Sequence, residues 1–138
     1  MTTSTAQDVR PSRVLRGTAE VLLGTAVAAV LTALLLKALV DGSDEFLPFQ
    51  PGPVVFATAF GVLAGLGVLL LLHRLGRERL FAPMVVVGTL LSLGGPISLL
   101  SATQAEQPGV TDAAALALVP LHLLVGAAVA YVLPRRVR

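Results

Sequence analysis

His122 is the ionisable residue nearest the middle of a long apolar segment, and imidazole is a side chain suited to proton and ligand chemistry. An ionisable group at membrane depth is energetically unfavourable and usually faces the interior of a helix bundle. At helical spacing His122 shares a face with Ala115, Gly126 and Val129, which predicts a seam lined by small residues. The functional interpretation is a proton acceptor, a ligand contact or a haem ligand. The structural interpretation, which we favour, is a neutral histidine hydrogen-bonded to a neighbouring helix.

A second group of polar residues surrounds a proline in the segment Ser92-Leu-Gly-Gly-Pro-Ile-Ser98. Pro96 cannot donate a backbone hydrogen bond and clashes with the carbonyl of Ser92, so the segment predicts a kinked helix. Freed carbonyls and hydroxyls at such kinks hold ions or substrates in transporters, but in most membrane helices neighbouring groups satisfy them. We favour the ordinary kink. We take His122, Ser92, Pro96 and Ser98 as a candidate intramembrane polar cluster, in which His122 hydrogen-bonds to one of the two serines.

The convergent side chains that catalysis or metal binding requires do not appear in the sequence. Cysteine is absent, which removes thiol catalysis, disulfides and Cys-ligated metals. Glu20, the carboxylate inside an apolar segment, lies ~10 Å in depth from the middle of that segment at a rise of ~1.5 Å per residue, too far to reach His122. We therefore predict a protein that is not an enzyme and that binds no metal and no cofactor.

The composition predicts an integral membrane protein. Of 138 residues, 55% are hydrophobic and 13% are charged, and the mean hydropathy is +0.86. Soluble domains carry roughly 25% charged residues, so this chain cannot cover a soluble surface. The basic residues, nine of them arginine, adjoin apolar segments. We therefore expect the lipid bilayer, and not a nucleic acid, as the partner.

Four apolar segments are long enough to cross a bilayer, which requires a helix of ~20 residues. The predicted spans are residues 17–40, 54–72, 80–102 and 113–134, all in one domain, 17–134. The fold class predicted is an all-α, four-helix transmembrane bundle with up-down-up-down topology and short loops. Residues 1–16 are predicted to be a disordered N-terminus and residues 135–138 a basic tail. A signal peptide cleaved near Ala28 is the alternative for the first segment, but apolar residues continue to Leu36 and favour a retained span.

All of the arginines fall on one side of the predicted bundle. They are Arg10, Arg13, Arg16, Arg74, Arg77, Arg79, Arg135, Arg136 and Arg138. The loops on the other side contain five acidic residues and neither lysine nor arginine. The positive-inside rule then predicts an inner (plasma) membrane protein with both termini in the cytoplasm, anchored by the eight arginines from Arg13 onward. In the first outer loop, 41–53, we expect Phe46, Leu47 and Phe49 to rest on the membrane surface, and Lys37 to pair with Asp41.

Small residues four positions apart occur in all four spans and allow helices to approach closely. The pairs are Gly24 and Ala28, Gly61 and Gly65, Gly88 and Ser92, and Gly126 and Ala130. We favour packing inside one four-helix bundle over the alternatives, a homodimer seam or a small pore.

Several short features together resemble a family of small four-span bacterial membrane proteins catalogued as a domain of unknown function. They are the basic start of the first span, the Pro-rich loop from Phe46 to Pro53, the basic loop from His73 to Arg79, Ser92-Leu93 with Pro96, and His122. The resemblance implies a four-helix membrane protein and assigns no activity or site residue. A small four-span quinol-oxidase-subunit-like family has similar size and topology, but no motif in this chain selects it.

Two functions remain open from the sequence. The first is a non-enzymatic tetraspan protein with a structural, accessory or lipid-contacting role, acting with another membrane protein or a second copy of itself. The alternative is a subunit of an oligomeric small-solute or proton transporter or channel, with a midplane site around His122 and the Ser92–Ser98 kink. Four helices are few for a pore, so this alternative requires an oligomer.

Overall fold

The computed structural model describes residues 11–137, in which every regular element is helical. The elements are α1 (Pro11–Leu39), α2 (Pro51–Arg74), α3 (Phe81–Ser92), α4 (Gly94–Leu99), α5 (Asp112–Ala127) and α6 (Leu133–Val137), with short 3₁₀ turns at Leu47–Phe49 and Glu78–Leu80 and a π-helical segment at Ala128–Val132. They form four rods, Pro11–Leu39, Pro51–Arg74, Glu78–Leu99 and Asp112–Val137, each long and apolar enough to cross a membrane. The predicted all-α, four-helix bundle is confirmed.

The two ends of the bundle differ in charge. At one end, called the arginine end, α1 begins and α6 finishes, and Glu20 of α1 contacts Arg136 of α6. At the other, called the acidic end, the loops 40–50 and 100–111 meet, so closely that a Cβ on Gly109 would lie 2.8 Å from that of Ser43. These contacts place the first and last rods antiparallel to each other, as an up-down-up-down bundle requires.

α1 begins earlier than the sequence predicted. It starts at Pro11, so residues 11–16 are helical and the prediction of disorder is wrong for them, while residues 1–10 lie outside the described residues. Proline suits the first turn because it has no N–H to leave unpaired and its φ is already helical. An i, i+4 ion pair between Arg16 and Glu20 adds to the stability of the following turn. Similarly, residues 135–137 belong to α6 and not to a tail.

Helices α1 and α2 are each followed by a residue with left-handed backbone conformation, which ends the helix and allows a short connecting loop. Asp41 has φ 50°, and the N–H of Gly42 then donates to the carbonyl of Lys37 at 2.7 Å. This is the Schellman pattern, which satisfies a carbonyl at the end of the helix. Gly76, with φ 63°, has the same role after α2.

Lys37 pairs with a different carboxylate from the one predicted. The side chain of Lys37 contacts Asp44, not Asp41, because the left-handed turn at Asp41 folds the following loop back over the end of α1. The hydrogen bond and the positive charge of Lys37 lower the pKa of Asp44 below its ordinary value. Asp44 is therefore ionised, and the pair intact, throughout the neutral range.

The third rod is interrupted next to its proline. Leu93 separates α3 from α4, and Pro96 is fully buried three residues later. Because proline has no N–H, the carbonyl of Ser92 loses its usual helical donor and the helix breaks there. The helix resumes when the N–H of Ile97 donates to the carbonyl of Leu93 at 3.1 Å.

The last rod contains a wider turn that was not predicted from the sequence. The π-helical segment Ala128–Val132 joins α5 to α6 and ends just before Pro134. Pro134 cannot donate to the carbonyl of Ala130, so regular α-helical bonding is already broken at this position. Such π segments within α-helices are frequent at functional sites.

Two hydrophobic clusters form the core, one near each end. The cluster at the acidic end contains Phe46 and Phe49, which are 0% and 2% exposed and pack edge to face with ring centroids 5.2 Å apart. The prediction that both rings rest on the membrane surface is therefore wrong. The close contact of the two loops encloses the rings, and Leu47, 52% exposed, alone of the three points outward. The cluster at the arginine end includes Val21, Val62, Phe81, Val129 and Leu133.

Close helix packing uses some of the predicted glycines but not others. A Cβ on Gly65 would lie 2.3 Å from a methyl group of Val129, and one on Gly126 would lie 2.3 Å from the hydroxyl of Thr89. These contacts are inside one chain, which supports the bundle interpretation for these glycines. Gly24 and Gly88, in contrast, face open space, because a Cβ on either would have nothing within 4 Å.

Candidate functional site

The predicted polar cluster is not joined by hydrogen bonds. Nδ1 of His122 lies 2.9 Å from the carbonyl oxygen of Leu118 in its own helix. The hydroxyls of Ser92 and Ser98 each donate, at 2.7 Å, to the carbonyl three residues earlier in their own helices. Helical serines readily bond in this way, and each hydroxyl proton is then already donated within its own helix. Within residues 11–137, the predicted bond from His122 to Ser92 or to Ser98 is not formed.

The exposure of these residues also separates them. Ser92 and Ser98 are exposed on the outside of the third rod, Pro96 is buried against the bundle, and His122 is half-buried. No group of three or more histidine or acidic side chains in residues 11–137 is placed to hold a metal ion. The arrangement gives no support to a midplane site built on His122 and the kink.

A lateral groove of about 440 Å³ runs between α1 and the last rod. This α1–α5 groove is lined by Glu20, Val21, Gly24, Thr25, Ala28, Leu124, Ala128, Val132 and Arg136. Its volume lies within the roughly 300–1,000 Å³ typical of small-molecule sites. Charged side chains stand at one end only, and apolar or small ones form the rest.

A bridging carboxylate forms the charged end of this groove. Glu20 accepts from Nε of Arg16 at 3.0 Å through one oxygen and from Nη1 of Arg136 at 3.2 Å through the other. The Glu20 side chain is 42% exposed, and the guanidinium groups are more exposed still. Two positive charges and one negative charge leave this mouth positive, with N–H groups that can reach an anion.

Glycines set the shape of the groove. At the mouth, Gly17 lets α6 approach so closely that a Cβ would lie 2.3 Å from the carbonyl oxygen of Arg136. This contact brings Arg136 to Glu20, which lies one turn further along α1. Deeper in the groove, Gly24 has no side chain to fill the space, and Ala128 of the π-helical segment contributes only a methyl group.

The length and polarity of the groove match half of a bilayer. Glu20 and Ala28 are eight residues apart, which is ~12 Å along a helix. The hydrocarbon core of a bilayer is ~30 Å thick, so one leaflet is ~15 Å. A hydrocarbon chain with a charged group at one end would therefore fit the groove with its charged group beside Arg16 and Arg136.

The parts of this site were visible in the sequence, but their assembly was not. Arg16 and Arg136 were predicted as topology anchors, and Glu20 was recognised as the carboxylate inside a span. The spacing of Arg16 and Glu20 was a visible signal, but nothing local indicated that the C-terminal arginine meets Glu20. The other predicted anchors are exposed in the structure; they are Arg13, Arg74, Arg77, Arg79 and Arg135. Arg138 lies outside the described residues.

Comparison with known proteins assigns the chain to a family. The model of the Family of unknown function (DUF6069) matches residues 4–138. The chain belongs to DUF6069. The predicted resemblance to a small membrane family of unknown function is thereby confirmed. No curated protein and no solved structure matches the chain.

Membership in DUF6069 covers all four rods and both walls of the α1–α5 groove. The length and apolar composition of the four rods are those of a multi-pass membrane protein. The family brings no activity with it.

Proposed function

We propose that this member of DUF6069 is a non-enzymatic accessory protein of the inner membrane that holds a membrane lipid in the α1–α5 groove. The observation that carries the proposal is the positive mouth formed by Arg16, Glu20 and Arg136 on an otherwise apolar groove. Basic pockets between membrane helices bind anionic lipid head groups. The lipid is expected to present its phosphate to the arginines and to lay one acyl chain along Gly24 and Ala128.

The proposal includes an orientation. Arginines from the start of α1, the end of α2 and α6 occupy the same end of the bundle, and the positive-inside rule assigns that end to the cytoplasm. Both termini are then cytoplasmic, and the groove takes its lipid from the inner leaflet. A lipid held at the edge of the bundle also supplies a surface through which another membrane protein, or a second copy of this chain, can dock.

Cysteine labelling tests the orientation, and the chain contains no cysteine of its own. Glu45→Cys and Ala105→Cys, both exposed at the acidic end, are expected to react with a membrane-impermeant maleimide in intact cells. Ser12→Cys, exposed at the arginine end, is expected to react only after permeabilisation. The reverse pattern would place the termini outside and overturn the assigned orientation.

Filling the groove tests lipid binding. Gly24 lines the groove and has nothing within 4 Å of the position of a Cβ, so Gly24→Leu starts a side chain into the groove from an uncrowded position. The affinity of this groove for phospholipid is expected to fall about ten-fold, which corresponds to ~1.4 kcal/mol of binding free energy. The number of phospholipids retained per protein in a mild detergent, counted by native mass spectrometry, is therefore expected to fall by about one.

Gly67→Leu is the matched control, because Gly67 is also helical, exposed and without neighbours within 4 Å, but lies on α2 outside the groove. It is expected to retain lipid as the wild type does. Equal retention by the wild type and Gly24→Leu would contradict the proposed function, and so would an equal loss in both variants.

A further inference from the structure

A second groove lies between α1 and α2 at the arginine end. This α1–α2 groove has a volume of about 540 Å³ and is lined by Pro11, Val14, Leu15, Thr18, Leu63, Leu66, Leu70, His73 and Arg74. Its wall is apolar except for Thr18 and for the two basic side chains that close α2. His73 contacts Glu78 through Nδ1, and the guanidinium of Arg74 is exposed at the mouth.

Thr18 carries a hydroxyl that has no hydrogen-bond partner. The residue is 6% exposed, and its Oγ1 is buried without a donor or acceptor among residues 11–137. A helical threonine can bond to a carbonyl of its own helix, as Thr89 does with Val85 at 2.8 Å. Thr18 does not do so. A buried and unpaired polar group is unfavourable, so its presence beside a cavity indicates a missing partner.

The chemical groups that the missing partner must carry follow from the polar side chains that line the α1–α2 groove. A threonine hydroxyl can donate a hydrogen bond to a carbonyl oxygen. Oγ1 of Thr18 is buried, but one χ1 rotation exchanges the positions of the hydroxyl and the methyl group, which lets the hydroxyl reach a ligand in the groove. Arg74 and His73 suit a phosphate. Thr18 lies seven residues beyond Pro11, which is ~10 Å deeper along α1. The order from mouth to interior is therefore a cationic site, then a hydroxyl donor, then apolar side chains.

We propose that the α1–α2 groove binds an ester-linked glycerophospholipid, with its phosphate at Arg74 and an ester carbonyl accepting the hydrogen bond of Thr18. This order of groups is that of the lipid itself, in which a phosphate is followed by ester carbonyls and acyl chains. The site uses α2 as its second wall and does not depend on the α1–α5 groove. The hydroxyl makes it selective for ester lipids over ether lipids, which have no carbonyl to accept the bond.

Competition between two lipids tests this selectivity. The full-length protein carrying Gly24→Leu, in which the α1–α5 groove is filled, is incubated in mild detergent with equal amounts of dioleoyl phosphatidylglycerol and its dialkyl ether analogue. Bound lipid is then counted by native mass spectrometry. With Thr18 present, the ester lipid is expected to be retained about five-fold better, the ratio given by one additional hydrogen bond in an apolar site.

Thr18→Val removes the hydroxyl but keeps the size and branching of the side chain. In the same Gly24→Leu protein it is expected to abolish the preference, giving equal retention of both lipids. Thr32→Val, the same change on α1 outside both groove linings, is the control and is expected to keep the five-fold preference. Equal retention of the two lipids when Thr18 is present, or an unchanged preference in Thr18→Val, would overturn the proposal.

Thermal unfolding in lipid-free detergent separates lipid recognition from a structural role. Because Oγ1 of Thr18 is unpaired without lipid, Thr18→Val is expected to unfold at the same temperature as its parent or at a higher one. A lower midpoint in Thr18→Val would show that the hydroxyl stabilises the protein by itself, and this would also overturn the proposal.

Discussion

Replacement of Phe46 with alanine is expected to lower the free energy of unfolding by about 3 kcal/mol. The Phe46 ring is 0% exposed and lies in the cluster where the two loops of the acidic end cover α1, α2 and α5. Removing it leaves a cavity that the surrounding helices cannot fill, and Phe49 loses its edge-to-face partner at 5.2 Å. Thermal unfolding in mild detergent, followed by circular dichroism, measures the loss.

Leu47→Ala provides the control for this prediction. Leu47 is adjacent to Phe46 in the chain but is 52% exposed, so its truncation is expected to change stability by less than ~0.5 kcal/mol. If Phe46→Ala were as stable as Leu47→Ala, the ring would not be part of the core. The loop would then be a membrane-surface connector, as the sequence alone had indicated.

Gly17→Ala is expected to lower the free energy of unfolding by about 1–3 kcal/mol, although it adds only a methyl group. The added Cβ would lie 2.3 Å from the carbonyl oxygen and 2.7 Å from the carbonyl carbon of Arg136. Both atoms are backbone, so the clash cannot be relieved by a side-chain rotation, and α6 has to move away from α1. That movement separates Arg136 from Glu20, so the variant is also expected to retain less lipid in the α1–α5 groove.

Gly67→Ala is expected to have the opposite effect on stability from Gly17→Ala, because Gly67 lies in open space. Nothing lies within 4 Å of its Cβ position, and alanine is favoured over glycine in a helix by about 0.5–1 kcal/mol. The unfolding midpoint of Gly67→Ala is therefore expected to equal or exceed that of the wild type. A Gly17→Ala protein with the same behaviour as Gly67→Ala would contradict the close contact of α1 with α6.

The two glycine classes show how far sequence reasoning reaches in an apolar chain. Gly24 and Gly65 each lie four positions from another small residue, Ala28 and Gly61 respectively. In the structure, however, Gly65 lies against Val129, whereas Gly24 lines an open groove. Lipid tails are as apolar as leucine, so every face of an apolar helix can face either lipid or protein. Spacing therefore identifies residues that can pack closely, but not the ones that do.

The candidate polar cluster illustrates the same limit for polar side chains. His122 and Ser92 occupy the middle regions of two predicted spans, and this alone made a contact between them reasonable. Each instead bonds to a carbonyl of its own helix, 2.9 Å away for His122 and 2.7 Å away for Ser92. Such local bonds are always within reach of a helical residue, whereas a contact between helices requires the correct rotation of both.

Three features follow directly from the amino-acid sequence: the four spans, the separation of charge between the two ends and the break beside Pro96. These features depend on the length of an apolar run, on the positions of charged residues and on the missing N–H of proline, all of which are local. Other features emerge only in the folded chain: Glu20 meets Arg136, 116 residues away, and Phe46 lies inside the bundle. Thr18 is likewise left unpaired beside a groove. These contacts depend on helix rotation and on how two loops pack together, and the apolar pattern of the chain specifies neither.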